Sequence, residues 1–384
     1  MNYASALNTF RKEEVAIAPY GIRSKDSKGR QFPEEDHAFR SCFQRDKDRI
    51  IHTTSFRRLE YKTQVFINDE GDYYRTRLTH TLEVAQIGRT LARALGGNED
   101  LVEAICLAHD MGHPPFGHSG ESALAKMMVN SGSFNHNHQT LRIVTKLEKR
   151  YADFDGLNLC YETLEGIAKH ETEFNFSDLL EYNPDSRGHL EAQIANVSDE
   201  IAYSAHDLDD GLRSGIITVD MCEDLLIWKT IAEEIHWVGP KLADLDRHRF
   251  INALINLAVT DTFYTSQEKI TSAKIKSVDE LQRLPYNVVG NSESWLIQNR
   301  ELKDFLFNNL YRHYRVVRMN LKADMIITRL FEAFRKEPSL LPKHIQTTIE
   351  ERGTDTAICD YIAGMTDRYA IEQYQKLFEP SLLP

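Results

Sequence analysis

Apolar residues recur at steps of three and four through nearly every segment of this chain, and this spacing constrains the fold most. Leu78 and Leu82 begin one such helix, the pair Gly96-Gly97 ends it, and Asn98 is placed to cap the next. Runs of alternating polar and apolar residues are too short to form a sheet. The sequence therefore predicts an all-α fold, with at most a short hairpin near residues 64–75.

Length, charge and cysteine content narrow the class of protein. The chain has 384 residues, enough for a large buried core, and a net charge of −12, which argues against wholesale coating of nucleic acid or of an anionic membrane. No apolar run reaches the roughly eighteen residues of a transmembrane helix. The five cysteines form no C-x-x-C pair, and the first residues carry no export signal. We expect a cytoplasmic protein with no membrane partner.

Histidines concentrate between positions 80 and 138, and two of them belong to a candidate metal site. His109-Asp110 ends an apolar helix at a Gly/Pro break, and Asp199 lies in another apolar helix, where a bare carboxylate is costly to bury. A lone helical histidine such as His80 is usually a core or surface residue, and a second His-Asp pair stands at His206-Asp207. Together, however, two imidazoles and two carboxylates can hold a first-row divalent ion and leave positions for water and a phosphate oxygen. We predict that His80, His109, Asp110 and Asp199 bind Mn²⁺ or Mg²⁺, with Fe, Co, Ni or Zn as alternatives.

The helix that carries Asp199 presents two more polar side chains on the same face. Tyr203 and Asp207 follow Asp199 at steps of four residues. Alone, this pattern is typical of the polar stripe of an amphipathic helix. If Asp199 binds a metal, Tyr203 and Asp207 line the same pocket and His206 points elsewhere.

The segment after the first His-Asp pair supplies acid–base groups. Two prolines and two glycines fix the loop at residues 112–117, and His118 and Glu121 stand three residues apart where helix resumes. A carboxylate at that spacing can orient the imidazole and favour its protonated form. The alternative is a capping histidine beside an acid that the helix dipole stabilises. A phosphoester whose leaving group is an alkoxide needs a proton donor when it is hydrolysed. We predict that His118 is this proton donor, with His136 as the second candidate.

Several motifs occur in the order found in the deoxyguanosine triphosphate triphosphohydrolase family, which this chain resembles over about residues 35–330. They are Phe43–Ile50, Phe56-Arg57-Arg58-Leu59, Lys62–Phe66, Arg77–Ala85, the loop His113–His118, and Glu191–Ile194 through Asp209–Leu212. Members are all-α HD-domain enzymes, commonly hexameric or tetrameric, that hydrolyse deoxynucleoside triphosphates to a deoxynucleoside and inorganic triphosphate. The resemblance implies one catalytic unit over 1–384, with an HD-domain helical core at 35–215 and additional C-terminal helices at 216–384 that complete the nucleotide pocket and the oligomer contacts.

The resemblance also implies roles for individual residues. It gives the same four metal ligands, His118 with Glu121 as the catalytic dyad, and His113 and His136 as groups that contact the phosphate. It assigns the substrate contacts to Gln64 and Asp207 at the sugar 3′-hydroxyl, Arg77 at a phosphate, Tyr203 beside the sugar and phosphates, and Arg315 and Arg318 as further phosphate contacts. Where the family often has Glu and Arg, this chain has Asn135 and His138, which leaves the detailed proton-transfer roles there open.

Two other classes of function stay open at this point. One is a different HD phosphohydrolase, such as a nucleoside monophosphatase or a cyclic-nucleotide phosphodiesterase. The other is a catalytically silent nucleotide sensor or single-stranded nucleic-acid binder, against which the full ligand set and dyad argue. The expected partners are a deoxynucleoside triphosphate substrate and further copies of the chain in a homo-oligomer, while an activating nucleotide and single-stranded DNA remain open.

Overall fold

The computed structural model describes residues 16–64, 75–170, 182, 184–239 and 242–381, and over these residues the predicted all-α fold is confirmed. The α-helices, numbered in chain order, are α1 (Cys42–Ile51), α2 (Thr54–Arg58), α3 (Arg77–Leu95), α4 (Glu99–Ala108), α5 (Gly117–Met127), α6 (His136–Arg142), α7 (Tyr161–Ala168), α8 (Leu190–Arg213), α9 (Val219–Cys222), α10 (Leu226–Glu234), α11 (Asp244–Ala273), α12 (Val278–Gln282), α13 (Glu293–Leu306), α14 (Tyr314–Lys336), α15 (Lys343–Gln346), α16 (Ile349–Arg352), α17 (Thr354–Ala363) and α18 (Asp367–Phe378). An isolated antiparallel bridge joins Thr63 to Thr76. The strands of the predicted hairpin lie between these residues, at 65–74, and fall outside the described residues.

Helix ends are set by local sequence. Thr76 caps α3 through a reciprocal pair of hydrogen bonds with Thr79, and Gly96 ends the helix in the left-handed conformation. Asn98 then caps α4 by accepting hydrogen bonds from two backbone amides, as its position predicted. Because the connection between α3 and α4 is this short, the two helices lie side by side.

The main hydrophobic core forms where α3, α4 and α8 pack against one another, with α1 and α11 covering them. Its centre consists of fully buried aliphatic and aromatic side chains, among them Phe43, Leu91, Leu101, Ile105 and Phe250. This packing brings the C-terminal end of α4 beside the first turns of α3 and the middle of α8. Residues that are far apart in the sequence therefore lie close together where these three helices meet.

A second core forms from α5, α14, α17 and α18. Leu124 of α5 packs there with Ile327 and Leu330 of α14 and Ile358 of α17. Because α5 directly follows the loop that carries His113, the C-terminal helices are joined to that loop by shared apolar packing.

Polar contacts join the same two regions. The carboxylate of Asp367, at the start of α18, accepts hydrogen bonds at 2.9 Å from the backbone amides of Thr63 and Phe116. Phe116 has a φ of 64°, a left-handed conformation that costs a non-glycine residue roughly 1–3 kcal/mol. Lys62 donates to the carbonyls of His113 and Ala363 at 2.5 and 2.9 Å. The C-terminal helices α17 and α18 thus hold the loop at Phe116 in its strained conformation.

None of the helices in the described ranges is both long and apolar enough to cross a membrane.

Candidate metal and phosphate site

A cavity of about 750 Å³ opens between α3, α8, the turn His109–Gly112 and the segment 287–311. Four side chains meet at its floor: His80 from α3, His109 and Asp110 from the turn after α4, and Asp199 from α8. Cavities of a few hundred cubic ångströms with convergent polar groups are typical of small-molecule sites.

The four predicted metal ligands lie close to one another, in two overlapping groups that could each hold an ion: His80, His109 and Asp110, and His109, His170 and Asp199. The Nε2 atom of His80 is 2.9 Å from Oδ1 of Asp199, and Nε2 of His109 is 3.6 Å from the same oxygen. His109 Nε2 is also 3.5 Å from Oδ1 of Asp110. One ligand atom each of His80, His109 and Asp110 all lie within 4.8 Å of one another.

The hydrogen bonds of His109 leave a nitrogen free for a cation. Its Nδ1 atom donates to the carbonyl of Cys106 at 2.5 Å, which puts the proton there. The buried Nε2 atom then has a lone pair, and it has no hydrogen-bond partner among the described residues. An orphaned lone pair between two carboxylates fits a bound divalent ion, because buried polar atoms are otherwise nearly always satisfied.

Electrostatics favour ionised carboxylates at this floor. Burial alone would raise the pKa of Asp110, but Arg77, His109 and His113 hold it well below its usual value. Burial likewise opposes ionisation of Asp199, yet His109 and further imidazoles hold its pKa well below the usual value. Burial would lower the pKa of His109, but the carboxylates of Asp110 and Asp199 raise it to about 9. Near neutral pH the ring therefore holds a second proton, on Nε2, and a divalent ion bound there would take the place of that proton.

Two histidines at the metal cluster were not predicted to belong to it. His170, which follows α7, lines the cavity with its Nε2 atom 3.5 Å from Oδ2 of Asp199. His206, which was expected to point elsewhere, does not line the cavity, but it places Nδ1 3.0 Å from Nδ1 of His80. His170 follows an apolar helix as His109 does, and this was the signal available in the sequence. His206 lies on α8 next to Asp207, which concealed its contact with α3.

The candidate acid–base groups form a cluster around one carboxylate. His118 Nδ1 lies 3.5 Å from Oε2 of Glu121, whereas His136 Nδ1 lies 2.8 Å from Oε1. The backbone amide of His136 donates to the same Oε1 at 2.9 Å, and the ring of His113 stacks on that of His136 at 3.8 Å. Burial would raise the pKa of Glu121, but its hydrogen bonds to His118 and His136 hold it well below the usual value. The carboxylate expected to serve His118 therefore lies closer to His136.

Exposure separates the two candidate proton donors. The side chain of His118 is 65% exposed, and that of His136 is 11% exposed. His113, His118 and His136 all line the cavity, while Glu121 lies behind them. His118 is thus free to turn towards a bound substrate, and His136 is held in place.

The predicted substrate contacts above the floor carry buried polar atoms. Arg77 lines the cavity and places Nη1 3.0 Å from Oδ2 of Asp110. Gln64 lines the cavity, but Asp207, which was predicted to line it, is fully buried and does not. Within the part of the chain that the structure describes, the buried Oε1 of Gln64 and both carboxylate oxygens of Asp207 have no hydrogen-bond partner. Burial and then Asp210 raise the pKa of Asp207 well above its usual value. Tyr203 lines the cavity, and its hydroxyl lies 2.5 Å from that of Tyr311.

The segment 287–311 supplies the opposite side of the cavity and differs most from expectation. Lys303, Phe307 and Tyr311 line the cavity, but Arg315 and Arg318 do not. Arg315 lines a separate small hollow, and the Arg318 guanidinium lies 5.2 Å from the ring of Tyr314. A π-helical turn at Phe307–Tyr311 follows α13, and α14 begins at Tyr314. Positions 315 and 318 lie just beyond this break and outside the cavity lining.

Comparison with known proteins adds a family to this geometry. Residues 77–204 match the model of the HD domain, and residues 289–376 match that of the phosphohydrolase-associated domain. A deoxyguanosinetriphosphate triphosphohydrolase-like protein of Geobacter metallireducens is 49% identical over 373 residues, which cover 96% of this chain and 97% of that protein. A protein of the same description from Nitrosomonas europaea is 51% identical over 370 residues, covering 94% and 98% of the two chains.

Proposed function

The chain belongs to the deoxyguanosinetriphosphate triphosphohydrolase family of HD-domain phosphohydrolases, and from this premise we propose that it hydrolyses deoxynucleoside triphosphates to a deoxynucleoside and inorganic triphosphate. The observation that carries the proposal is the orphaned Nε2 of His109 between two carboxylates, beside the buried cation Arg77. This arrangement suits a divalent ion and the phosphate that it polarises. The size of the cavity, about 750 Å³, leaves room for a whole nucleotide.

The metal site in this proposal consists of His80, His109, Asp110 and Asp199, and we favour Mn²⁺ or Mg²⁺ as the ion. A divalent ion held there would polarise a phosphate oxygen and lower the pKa of a water molecule. The proposed role of Arg77 is to neutralise phosphate charge, since an always-charged guanidinium suits phosphate oxygens.

Proton transfer is the proposed task of the histidine cluster. Attack at the α-phosphorus expels the nucleoside 5′-oxygen, which leaves readily only when it is protonated. We assign that proton to His118, whose exposed side chain can reach a substrate, and a phosphate contact to His113 and His136. Glu121 would orient His136 most closely and hold His118 from its second oxygen.

Recognition of the sugar would fall to the orphaned polar atoms. The Oε1 atom of Gln64 can accept from a 3′-hydroxyl, and Asp207, whose raised pKa favours the protonated form, can donate to one. Tyr203 closes the pocket beside the sugar, and its contact with Tyr311 fixes the ring. Residues of the 287–311 segment line the cavity and would complete the nucleotide pocket, so we assign them a role in substrate binding.

Product analysis tests the proposal directly. We would incubate the purified protein with each of the four deoxynucleoside triphosphates, alone and mixed, with Mn²⁺ or Mg²⁺, and separate the products by ion-exchange chromatography. We expect deoxynucleoside and intact triphosphate in equal amounts, and neither product with the Asp199→Ala variant. Release of orthophosphate or pyrophosphate, or activity confined to nucleoside monophosphates or cyclic nucleotides, would replace this proposal with a different HD phosphohydrolase. Activity only in mixtures would show that one nucleotide activates hydrolysis of another.

A further inference from the structure

We propose that Glu83 and His206 form a relay of close polar contacts behind His80 that fixes which nitrogen of His80 is protonated and so sets the affinity of the site for its divalent ion. The inference rests on the proposed function only in taking the floor of the cavity as a metal site. Neither Glu83 nor His206 touches the cavity, so both would act through His80 as positioning residues.

The relay is a continuous line of short contacts. His80 directs Nε2 towards Asp199 Oδ1, at 2.9 Å, and Nδ1 towards His206 Nδ1, at 3.0 Å. The other nitrogen of His206, Nε2, lies 2.5 Å from Oε2 of Glu83, an ion-pair contact without the geometry of a hydrogen bond. His80 and His206 are buried, at 1% and 0% exposure, so water does not compete for the contact between the two rings.

Proton placement along this line has one solution when His80 binds a metal. Its Nε2 atom must then offer a lone pair, and its proton must sit on Nδ1. That proton is donated to Nδ1 of His206, which places the proton of His206 on Nε2, where it faces the carboxylate of Glu83. The acidic end of the relay therefore selects the metal-binding form of His80 two side chains away.

Contacts outside the relay hold Glu83 in position although its side chain is 41% exposed. Arg75 lies 3.3 Å from Oε1 of Glu83 and donates to Oδ2 of Asp209 at 2.8 Å. Arg247 of α11 pairs with the other oxygen of Asp209. The line thus continues from the metal cluster through α8 to α11, and Glu83 does not depend on solvent for its orientation.

If the relay had only a structural role, it would be a polar contact that joins α3 to α8. Substitutions that keep the shape of the side chains distinguish this role from the proposed one, because only the proposed role predicts a change in the affinity for Mn²⁺. Glu83→Gln keeps the size of the side chain but replaces a carboxylate by a weaker acceptor. His206→Asn keeps an acceptor near the position of Nδ1, whereas His206→Leu removes it.

The test is titration of metal-free protein with Mn²⁺ in a calorimeter, together with thermal unfolding of the same metal-free samples. We expect the Kd for Mn²⁺ to rise roughly tenfold in Glu83→Gln and between about tenfold and a hundredfold in His206→Leu, the range for partners of metal ligands. His206→Asn should restore most of the affinity. Glu103→Gln, an acid of α4 that pairs with Lys47 away from the cavity, is the matched control and should bind Mn²⁺ as the wild type does.

Each outcome decides the proposal. A wild-type Kd in Glu83→Gln overturns it, and so does equal weakening in Glu103→Gln. If His206→Leu fails to fold, Glu83→Gln and His206→Asn still give the answer. If the wild-type protein binds no Mn²⁺, both this inference and the metal-dependent function are overturned. If the variants bind Mn²⁺ more weakly as expected but the wild type releases no triphosphate, only the proposed function is overturned.

Discussion

The two sides of the cavity are built on different principles. The metal wall, formed by His80, His109, Asp110 and Asp199, consists of side chains at most 16% exposed that contact one another. The far wall, residues 287–311, has half-exposed side chains such as Phe307 and Leu296, and its cation Lys303 pairs with Glu200 at 2.6 Å. We propose that the metal wall serves the chemistry and that the far wall makes adjustable contact with a substrate. Substitutions should therefore lower kcat on the first and alter KM on the second.

The strongest test of this contrast removes a proposed ligand from the metal wall. Asp199 contacts His80, His109 and His170, so Asp199→Ala deletes the anion that they share. We expect kcat to fall by at least roughly 10³-fold, which corresponds to about 4 kcal/mol of transition-state stabilisation. Steady-state kinetics and elemental analysis of bound metal check this together. Full activity with the ion absent would contradict the assignment.

The next largest effect should come from the acid–base cluster. His118→Ala should lower kcat by at least about 10²-fold with bound metal unchanged, the lower end for general acid–base catalysis. Glu121→Ala should act more weakly in the same direction, and the double variant should be little worse than His118→Ala, because the groups act as a unit. Near-normal kcat in His118→Ala would remove this residue from the mechanism. If His136→Ala alone caused the loss, the closer carboxylate contact would mark His136 as the donor instead.

Sugar selection tests the point at which the two walls meet. The hydroxyls of Tyr203 and Tyr311 lie 2.5 Å apart and close the cavity beside the proposed sugar position. In the proposed arrangement, these two side chains leave no space for the 2′-hydroxyl of a ribonucleotide. We therefore expect dGTP to be preferred over GTP by roughly 10²-fold in kcat/KM. Competition assays with both nucleotides measure the ratio, and comparable specificity constants would refute this arrangement.

A smaller effect is expected on the far wall itself. Tyr311→Phe removes one hydroxyl of the contact with Tyr203 and keeps the ring. We expect KM to rise by less than about tenfold, as for the loss of one hydrogen bond, with kcat close to that of the wild type. Lys303→Met provides a second far-wall variant with the same expectation. A fall in kcat as large as that of His118→Ala would erase the distinction between the walls.

The smallest effect concerns stability behind the metal wall. Burial lowers the pKa of Lys62 to about 7, below its ordinary value of 10.5. Between these values the unfolded chain binds more protons than the folded one, so the free energy of unfolding should rise with pH, by about 1 kcal/mol from pH 7 to 8. Denaturant titrations of the wild type and of Lys62→Met at both pH values give the difference. An equal rise in the variant would show that Lys62 is not its source.

Sequence alone predicted the metal wall better than the far wall for a physical reason. His109-Asp110 at a helix end and Asp199, Tyr203 and Asp207 on one helix face are short-range patterns that the backbone geometry preserves. The structure brings all of these groups except Asp207 to the cavity, while their roles stay predictions. The all-α fold followed from the same periodicity.

Long-range packing explains what the sequence could not predict. The resemblance assigned phosphate contacts to Arg315 and Arg318, but both follow the π-helical turn at Phe307–Tyr311 and lie outside the cavity lining. The contact of His206 with His80 depends on the crossing of α3 and α8, which no local spacing encodes.

The position of Asp367 has a consequence for synthesis of the protein. Its carboxylate holds Thr63 and the strained Phe116, which lie some 250 residues or more before it in the sequence. A ribosome must therefore deliver nearly the whole polypeptide before the loop of His113 and His118 can take its final shape. A nascent chain, or one cut short by a premature stop codon, would carry its four candidate metal ligands without the acid–base loop in place.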